Sequence, residues 1–271
     1  MKRSPVKAKE SLHVEKRIKK SYPRVREMTP AEQAGMVREV FATIPRRYDF
    51  LNRFLSLRRD VAWRRFAARK MLFFKTNRLL DVATGTADLA IAAIRRHPRI
   101  GVFGLDFVRE MLAVGQQKIR QGRLSEQVCL LQGNALNLPF PDHSFDIAAV
   151  AFGIRNIPDR QRALEEMKRV VVPGGQVMVL EMNFPRHPLF RRLYDLYLNR
   201  LLPHAARLFS RNPAAYRYLG DSIMQFPEPL QFVRLMDAAG LRRIEKYSLT
   251  LGITYLYIGI NPGGEPRIGR P

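Results

Sequence analysis

Gly85, Asp106 and the pair Arg155-Asn156 are the residues of this chain best spaced to do chemistry. Gly85 sits in Asp81-Val82-Ala83-Thr84-Gly85-Thr86-Ala87-Asp88, directly after an apolar run. A glycine at a strand-to-helix turn lets backbone pass close to a ligand, and the helix start beyond it offers N–H groups. Asp106 closes the next apolar run twenty-one residues later, a spacing at which an acid reaches a ribose hydroxyl pair. Gln132-Gly133-Asn134-Ala135 follows a third run in the same manner. A G-x-G-x-x-G fingerprint is missing, which argues against a dinucleotide and its pyrophosphate. Asp81 stays undecided between ligand binding and turn chemistry.

A second set of groups suits proton and anion handling. Arg155 and Asn156 follow a fourth apolar run. An arginine there stabilises an oxygen anion while keeping its own charge, and an asparagine both donates and accepts. The alternative for Arg155 is a surface ion pair. Asp49, with Tyr48 and Asn52 close by, is the candidate for accepting a proton, directly or through water. Its alternative is a helix N-cap with Asn52 as turn partner. The five histidines show no metal-ligand spacing, so no metal site is expected. Cys129, the single cysteine, lies in Val128-Cys129-Leu130-Leu131 and is expected to be a buried, inert thiol.

These groups need elements to hold them. Thr29-Pro30-Ala31-Glu32 reads as a helix start, with Thr29 as N-cap, and Met36, Val37, Val40 and Phe41 repeat at helical spacing. Further helical patterns run through 48–57 and from Asp60 toward Leu72, so 29–77 forms a helical segment able to lie over the first strand as a lid. From residue 78, strands over 79–82, 101–105, 127–132, 145–151 and 176–181 alternate with helices over 88–96, 109–120 and 160–171. Continuous apolar strands in that rhythm argue for a parallel sheet covered on both faces. Residues 186–228 break the rhythm as a helical insertion. A helix over 230–239 and strands near 241–247 and 255–260 close a single domain spanning 29–262, with a loose tail at 263–271.

Lysine and arginine number 47 against 24 acids, a formal charge of +23. Such a field draws nucleic acid or anionic lipid headgroups without choosing between them. Residues 1–28 read as a basic flexible arm. No apolar run approaches the roughly 18 residues a spanning helix needs, and the arm has no apolar stretch of a secretory signal. One cysteine suits a cytosol-facing protein. In the insertion, Arg191 and Arg192 beside Leu193, Tyr194, Tyr197 and Leu198 make a basic amphipathic helix suited to an anionic bilayer; the alternative is an ordinary core-facing helix.

Together these segments resemble the class I methyltransferases, and more closely the UbiE/MenG C-methyltransferases of quinone biosynthesis, over roughly residues 31–260. The most specific pieces are Arg47-Tyr48-Asp49-Phe50-Leu51-Asn52, Leu55-Ser56-Leu57, Trp63-Arg64 and Phe152-Gly153-Ile154-Arg155-Asn156. Leu138-Pro139-Phe140-Pro141-Asp142, Val172-Pro173-Gly174-Gly175 and Tyr216-Arg217-Tyr218-Leu219 match as well. Family members often carry Ser where this chain has Ala151, and His where it has Tyr257.

The resemblance implies an α/β, Rossmann-like fold: a mostly parallel seven-stranded sheet with helices on both faces, a helical N-terminal lid and a helical insertion after the fifth strand. It implies S-adenosylmethionine as cofactor, whose lack of a pyrophosphate agrees with a single-glycine turn. Thr86, Asp106, Asn134 and Ala135 fall where the family contacts that cofactor, and Asp81, Gly85 and Ala151 complete the expected set. Arg155, Asn156 and Asp49 form the expected catalytic set, and Tyr48, Asn52, Tyr194 and Tyr218 the expected substrate contacts. The implied reaction is C-methylation of a prenylated quinol, demethylmenaquinol to menaquinol, or alternatively the 2-methoxy-6-polyprenyl-1,4-benzoquinol of ubiquinone biosynthesis. The expected setting is cytoplasmic, peripheral to the inner face of the membrane on an anionic surface, with a homodimer left open.

Two readings of other classes compete. An RNA methyltransferase suits the charge. The Ala-Phe-Gly-Ile-Arg-Asn turn is not the Asn/Asp-Pro-Pro-aromatic turn of base N-methylation, however, and one cysteine excludes a two-cysteine mechanism. Nucleic acid is therefore not the expected partner. A non-catalytic cofactor-binding protein is the other reading.

Overall fold

The computed structural model describes residues 28–43, 45, 49–50, 52–53, 56–183 and 221–263. The basic arm, most of the insertion with Tyr194 and Tyr218, and Tyr48 lie outside the described residues.

Helix α1 (Pro30–Thr43) starts as its sequence dictates: Glu32 N–H donates to Thr29 Oγ1 at 3.3 Å, and Thr29 N–H donates to Glu32 Oε2 at 2.8 Å, a reciprocal cap. Helix α2 (Arg59–Arg69) follows, shorter than the expected run toward Leu72. The core then alternates β1 (Arg78–Val82), α3 (Asp88–Arg96), β2 (Gly101–Asp106), α4 (Arg109–Gln121), β3 (Val128–Gln132), β4 (Phe145–Ala151), a short 3-10 turn (Ile154–Asn156), α5 (Arg160–Val170) and β5 (Val171–Met182). Helix α6 (Pro229–Ala238), β6 (Arg242–Leu249) and β7 (Thr254–Ile260) close it.

All seven strands join one sheet in the order β3-β2-β1-β4-β5-β7-β6, parallel except β7, which runs antiparallel to β5 and β6. The expected seven-stranded, mostly parallel sheet is thus present. The strand order reverses between β1 and β4, and in open sheets of this kind ligands settle outside the carboxyl ends at that switch point.

Each face of the sheet carries its own apolar layer. Helices α5 and α6 bury Leu164, Met167, Phe232 and Met236 against one face. Helices α2, α3 and α4 bury Trp63, Ala67, Ala93 and Ile119 against the other. The larger of these side chains, such as Leu164, Met167, Phe232 and Ile119, contribute about 1.5–3 kcal/mol each. Tyr257 is fully buried beside Phe232, with ring centroids 4.8 Å apart, and belongs to the α6 layer.

Asp146, wholly buried at the start of β4, accepts N–H groups from Phe74, Lys75, Thr76 and Asn77 at 2.7–3.3 Å. One carboxylate thereby anchors the chain as it enters β1. Cys129 departs from expectation. It is exposed, on β3, which is an outer strand of the sheet.

Candidate active site

The carboxyl ends of β1, β2 and β4 line a cavity of about 380 Å³, and Ala31, Ala34, Val37 and Phe41 of α1 contribute one apolar wall. The helical repeat of α1 serves two surfaces. Met36 and Val40 are buried, whereas Val37 and Phe41 reach the cavity.

The loop after β1 is tightly bent. Gly85 adopts φ +56°, and Ala83 and Ala87 also lie at positive φ. Only glycine takes such a conformation without strain, and the two alanines hold it because neighbouring bonds fix them. Asp106 supplies one of those bonds, accepting Gly85 N–H at 2.7 Å, and in its own turn it accepts Val108 N–H at 2.8 Å. Burial raises the Asp106 pKa, opposed by the N–H groups of Val108, Gly85 and Phe107. With three N–H groups directed at a carboxylate of about four acceptor positions, acceptor capacity remains on the cavity side.

Asp81 lies deeper. Its carboxylate accepts the Thr84 hydroxyl at 2.6 Å and Ala90 N–H at 3.2 Å, joining the turn to the first turn of α3. Burial pushes it up to about 7, against those two bonds and the nearby Arg64. Both bonds fall on Oδ2, which thereby performs turn chemistry at the wall of the cavity.

After β4 the backbone must pass close to Ala83. A Cβ on Gly153 would stand 2.6 Å from the Ala83 Cβ, so glycine is required there. The following 3-10 turn sends its last two side chains to different places. Asn156 lines the cavity. Arg155 was expected to face an incoming oxygen; instead its guanidinium is buried against Glu181, itself fully buried at the end of β5. Burying a guanidinium requires a carboxylate partner, and Glu181 also accepts Arg155 N–H at 3.3 Å and Met182 N–H at 2.8 Å. The ion pair is interior rather than at the surface, and it fixes the turn that presents Asn156.

Asp49 also differs from expectation. Its carboxylate accepts the Thr86 hydroxyl at 2.5 Å and the Lys118 ammonium at 2.8 Å. These two donors tie Asp49 to the loop after β1 and to α4. Lys118 also pairs with Asp88, which Arg64 approaches to 4.0 Å and Arg53 to 3.6 Å. Burial pushes the Asp88 pKa up, yet Arg64, Lys118 and Arg53 together hold it below the usual carboxylate range. Two acids and three cations thus join the N-terminal segment, α2, α3 and α4 beside the cavity.

Gly85, Thr86, Asp106, Asn134, Ala135, Ala151 and Asn156 are brought to one cavity, with Asp81 at its wall. Asn52 is not among the lining residues; its carbonyl accepts Ser56 N–H at 2.9 Å. Lys118, Asp88 and Glu181 were not foreseen, since their roles depend on which elements meet and no local spacing marks them. The pair Asp60–Arg64, at 2.7 Å and four residues apart, was readable as a helical ion pair.

Comparison with known proteins agrees with this geometry. A Deinococcus radiodurans protein named demethylmenaquinone methyltransferase is 44% identical over 228 residues, covering 84% of this chain and 93% of that protein. A Geotalea daltonii protein named ubiquinone/menaquinone biosynthesis C-methyltransferase UbiE is 42% identical over 229 residues, covering 84% and 97%. A crystal structure of a SAM-dependent methyltransferase from Thermotoga maritima, 19% identical, superposes with a TM-score of 0.57 over 83% of this chain and 99% of that one, a likeness of fold. The profile of the ubiE/COQ5 methyltransferase family matches residues 28–261, and the chain belongs to that family.

Proposed function

We propose that this methyltransferase transfers a methyl group to a ring carbon of a prenylated quinol, with demethylmenaquinol as the first substrate. One observation carries the reading. Gly85, Thr86, Asp106 and Asn156 share one cavity beside an apolar helix, in a chain 44% identical to a protein named demethylmenaquinone methyltransferase.

The cofactor is S-adenosylmethionine, which supplies an electrophilic sulfonium methyl when bound. The residues present fit it. Asp106 offers its remaining acceptor positions to the ribose hydroxyls. The backbone around Gly85 and Thr86 admits the methionine portion. Phe107, Val108, Asn134 and Ala135 provide the apolar and polar edges for the base.

On the substrate side, a free phenol has a pKa near 10, so the ring carbon attacks well only when its neighbouring oxygen is helped toward the anion. Asn156 donates to that oxygen and orients the ring. Arg155 acts through the turn it holds, its field reduced by Glu181. Helix α1 excludes water, and Asp49 keeps the N-terminal segment in place through Thr86 and Lys118. Tyr48, Tyr194 and Tyr218 lie outside the described residues and stay assigned to the substrate by resemblance; Asn52 is kept with them. A prenyl tail calls for access from a bilayer. A charge of +23, with no described helix long and apolar enough to cross a membrane, supports peripheral attachment to its inner face.

The second substrate reading, a methoxy-polyprenyl benzoquinol, is favoured by the relative named for both ubiquinone and menaquinone. Purified protein incubated with labelled S-adenosylmethionine and, separately, each reduced quinone and total RNA tests the proposal. Label in the naphthoquinol is the expected result. Label in the benzoquinol alone replaces the substrate, and label in RNA alone overturns the reading.

A further inference from the structure

A second cavity, of about 440 Å³, lies between α2 and α3 and shares Arg64 and Asp88 with the first. Among the described residues, Asp88 is the only acid in its lining, against seven cations. Arg53, Arg64 and Lys118 are engaged with that acid. Arg65, Arg95 and Arg96 are exposed, and no ion pair engages them among the described residues. Arg69 joins them at the rim, over the Phe66 ring. Helices α2 and α3 are stitched together at this end, where His97 Nε2 meets the Ala68 carbonyl at 2.9 Å. Four guanidinia gathered on two adjoining helices repel one another unless an anion lies among them, and Arg is the side chain best shaped to grip phosphate.

Two exposed leucines stand at the other end of α2. Leu57, two residues before the helix, is 83% exposed, and Leu251 is 70% exposed. Leu251 follows Thr250, whose hydroxyl accepts from Trp63 Nε1 on α2 at 2.9 Å. That turn leads into β7, whose Thr254 pairs with Met182 at the carboxyl end of β5, the end of the sheet where the cofactor cavity lies. Cations at one end of a short helix and apolar knobs at the other are the groups an anionic bilayer takes up, cations at the headgroups and apolar groups at the acyl boundary.

We propose that the α2–α3 cleft docks the phosphodiester headgroups of an anionic bilayer, with Leu57 and Leu251 entering its surface, so that the quinol cavity is held at the lipid. The assignment deepens the prenylated-quinol reading and rests on it for its purpose. The charge complementarity is carried by the cleft's own residues.

The test compares full-length chains on vesicles of phosphatidylglycerol and phosphatidylcholine. A cleft triple variant, Arg65→Gln, Arg95→Gln and Arg96→Gln, is set against a control of equal charge, Arg120→Gln, Arg123→Gln and Arg243→Gln. At roughly fivefold per charge, the cleft variant loses about a hundredfold in vesicle affinity while the control loses far less. Leu57→Ser with Leu251→Ser weakens binding at unchanged charge. Equal losses in both triples, or none in either, overturn the assignment. So does a cleft variant that loses RNA or inorganic-phosphate binding but keeps its vesicle affinity. Turnover of a short-tailed, water-soluble quinol is unchanged in the cleft variant. A wild type that docks through the cleft yet methylates no quinol removes the proposed reaction and leaves the docking site standing.

Discussion

Lys118 and Asp49, 69 residues apart, meet at 2.8 Å, and the same carboxylate accepts the hydroxyl of Thr86 in the loop after β1 at 2.5 Å. The segment leading from α1 and the loop after β1 are therefore one hydrogen-bonded unit. Anything that moves Thr86 is transmitted to Asp49, and the reverse holds as well.

The first prediction concerns that unit. The Lys118 and Asp49 side chains are 20% and 16% exposed, so solvent screening reduces the pair to about 1 kcal/mol. Lys118→Met and Asp49→Asn each weaken binding of the product S-adenosylhomocysteine by about fivefold. In a double-mutant cycle followed by calorimetry, the double variant is little worse than either single one. Strictly additive losses contradict the coupling.

Arg155 and Glu181 behave differently because both are buried. Removing one partner strands a charge, at a cost of about 3–5 kcal/mol. Glu181→Gln and Arg155→Ala are expected to lower the urea midpoint strongly, while Arg155→Met with Glu181→Gln, which keeps an amide oxygen for the Arg155 and Met182 N–H groups, recovers most of the stability. If Arg155 works by fixing the turn that presents Asn156, the recovered double variant regains part of its turnover. A double variant that is stable yet as inactive as Asn156→Ala instead gives the guanidinium a direct task.

The sequence made the β-α alternation legible, because each central strand is a short apolar run bounded by turn residues. It also brought Gly85 and Asp106 together at one cavity, since the glycine turn and the acid that closes β2 are local signals with a local cause. The roles of Arg155 and Asp49 were not legible. Arg155 meets Glu181 only because β4 and β5 are neighbours in the sheet, and Asp49 meets Lys118 only once α4 lies beside the N-terminal segment. Cys129 was misjudged for a related reason: an apolar run says that a strand forms, but its place at the sheet edge is decided by topology.

Asp106 carries the cofactor prediction. Asp106→Asn keeps the volume but replaces one acceptor oxygen with a donor facing either Gly85 N–H or Val108 N–H. Product affinity falls by about a hundredfold, and the KM for quinol at saturating cofactor changes little. An equal rise in both constants contradicts the assignment of Asp106 to the cofactor alone.

Asp81 yields a pH dependence. Its folded carboxyl titrates at about 7 against 3.8 for the free group. Between those values the native state keeps a proton that the unfolded chain has released. Its contribution to stability therefore falls as pH rises from about 4 to about 7 and is level above. Asp81→Asn, which still accepts from Thr84, removes this term. Compared by urea unfolding, the variant gains on wild type between pH 5 and pH 8. The same difference at both pH values contradicts the buried titration.

The most direct measurement of the central claim is the position of the transferred methyl group. Protein, S-adenosylmethionine carrying an isotopically labelled methyl, and reduced demethylmenaquinone are incubated, and the product is examined by nuclear magnetic resonance. A labelled methyl bonded to a ring carbon, absent when Asn156→Ala is used, is the predicted result. A label on the quinol oxygen, or none on the quinol at all, contradicts the account.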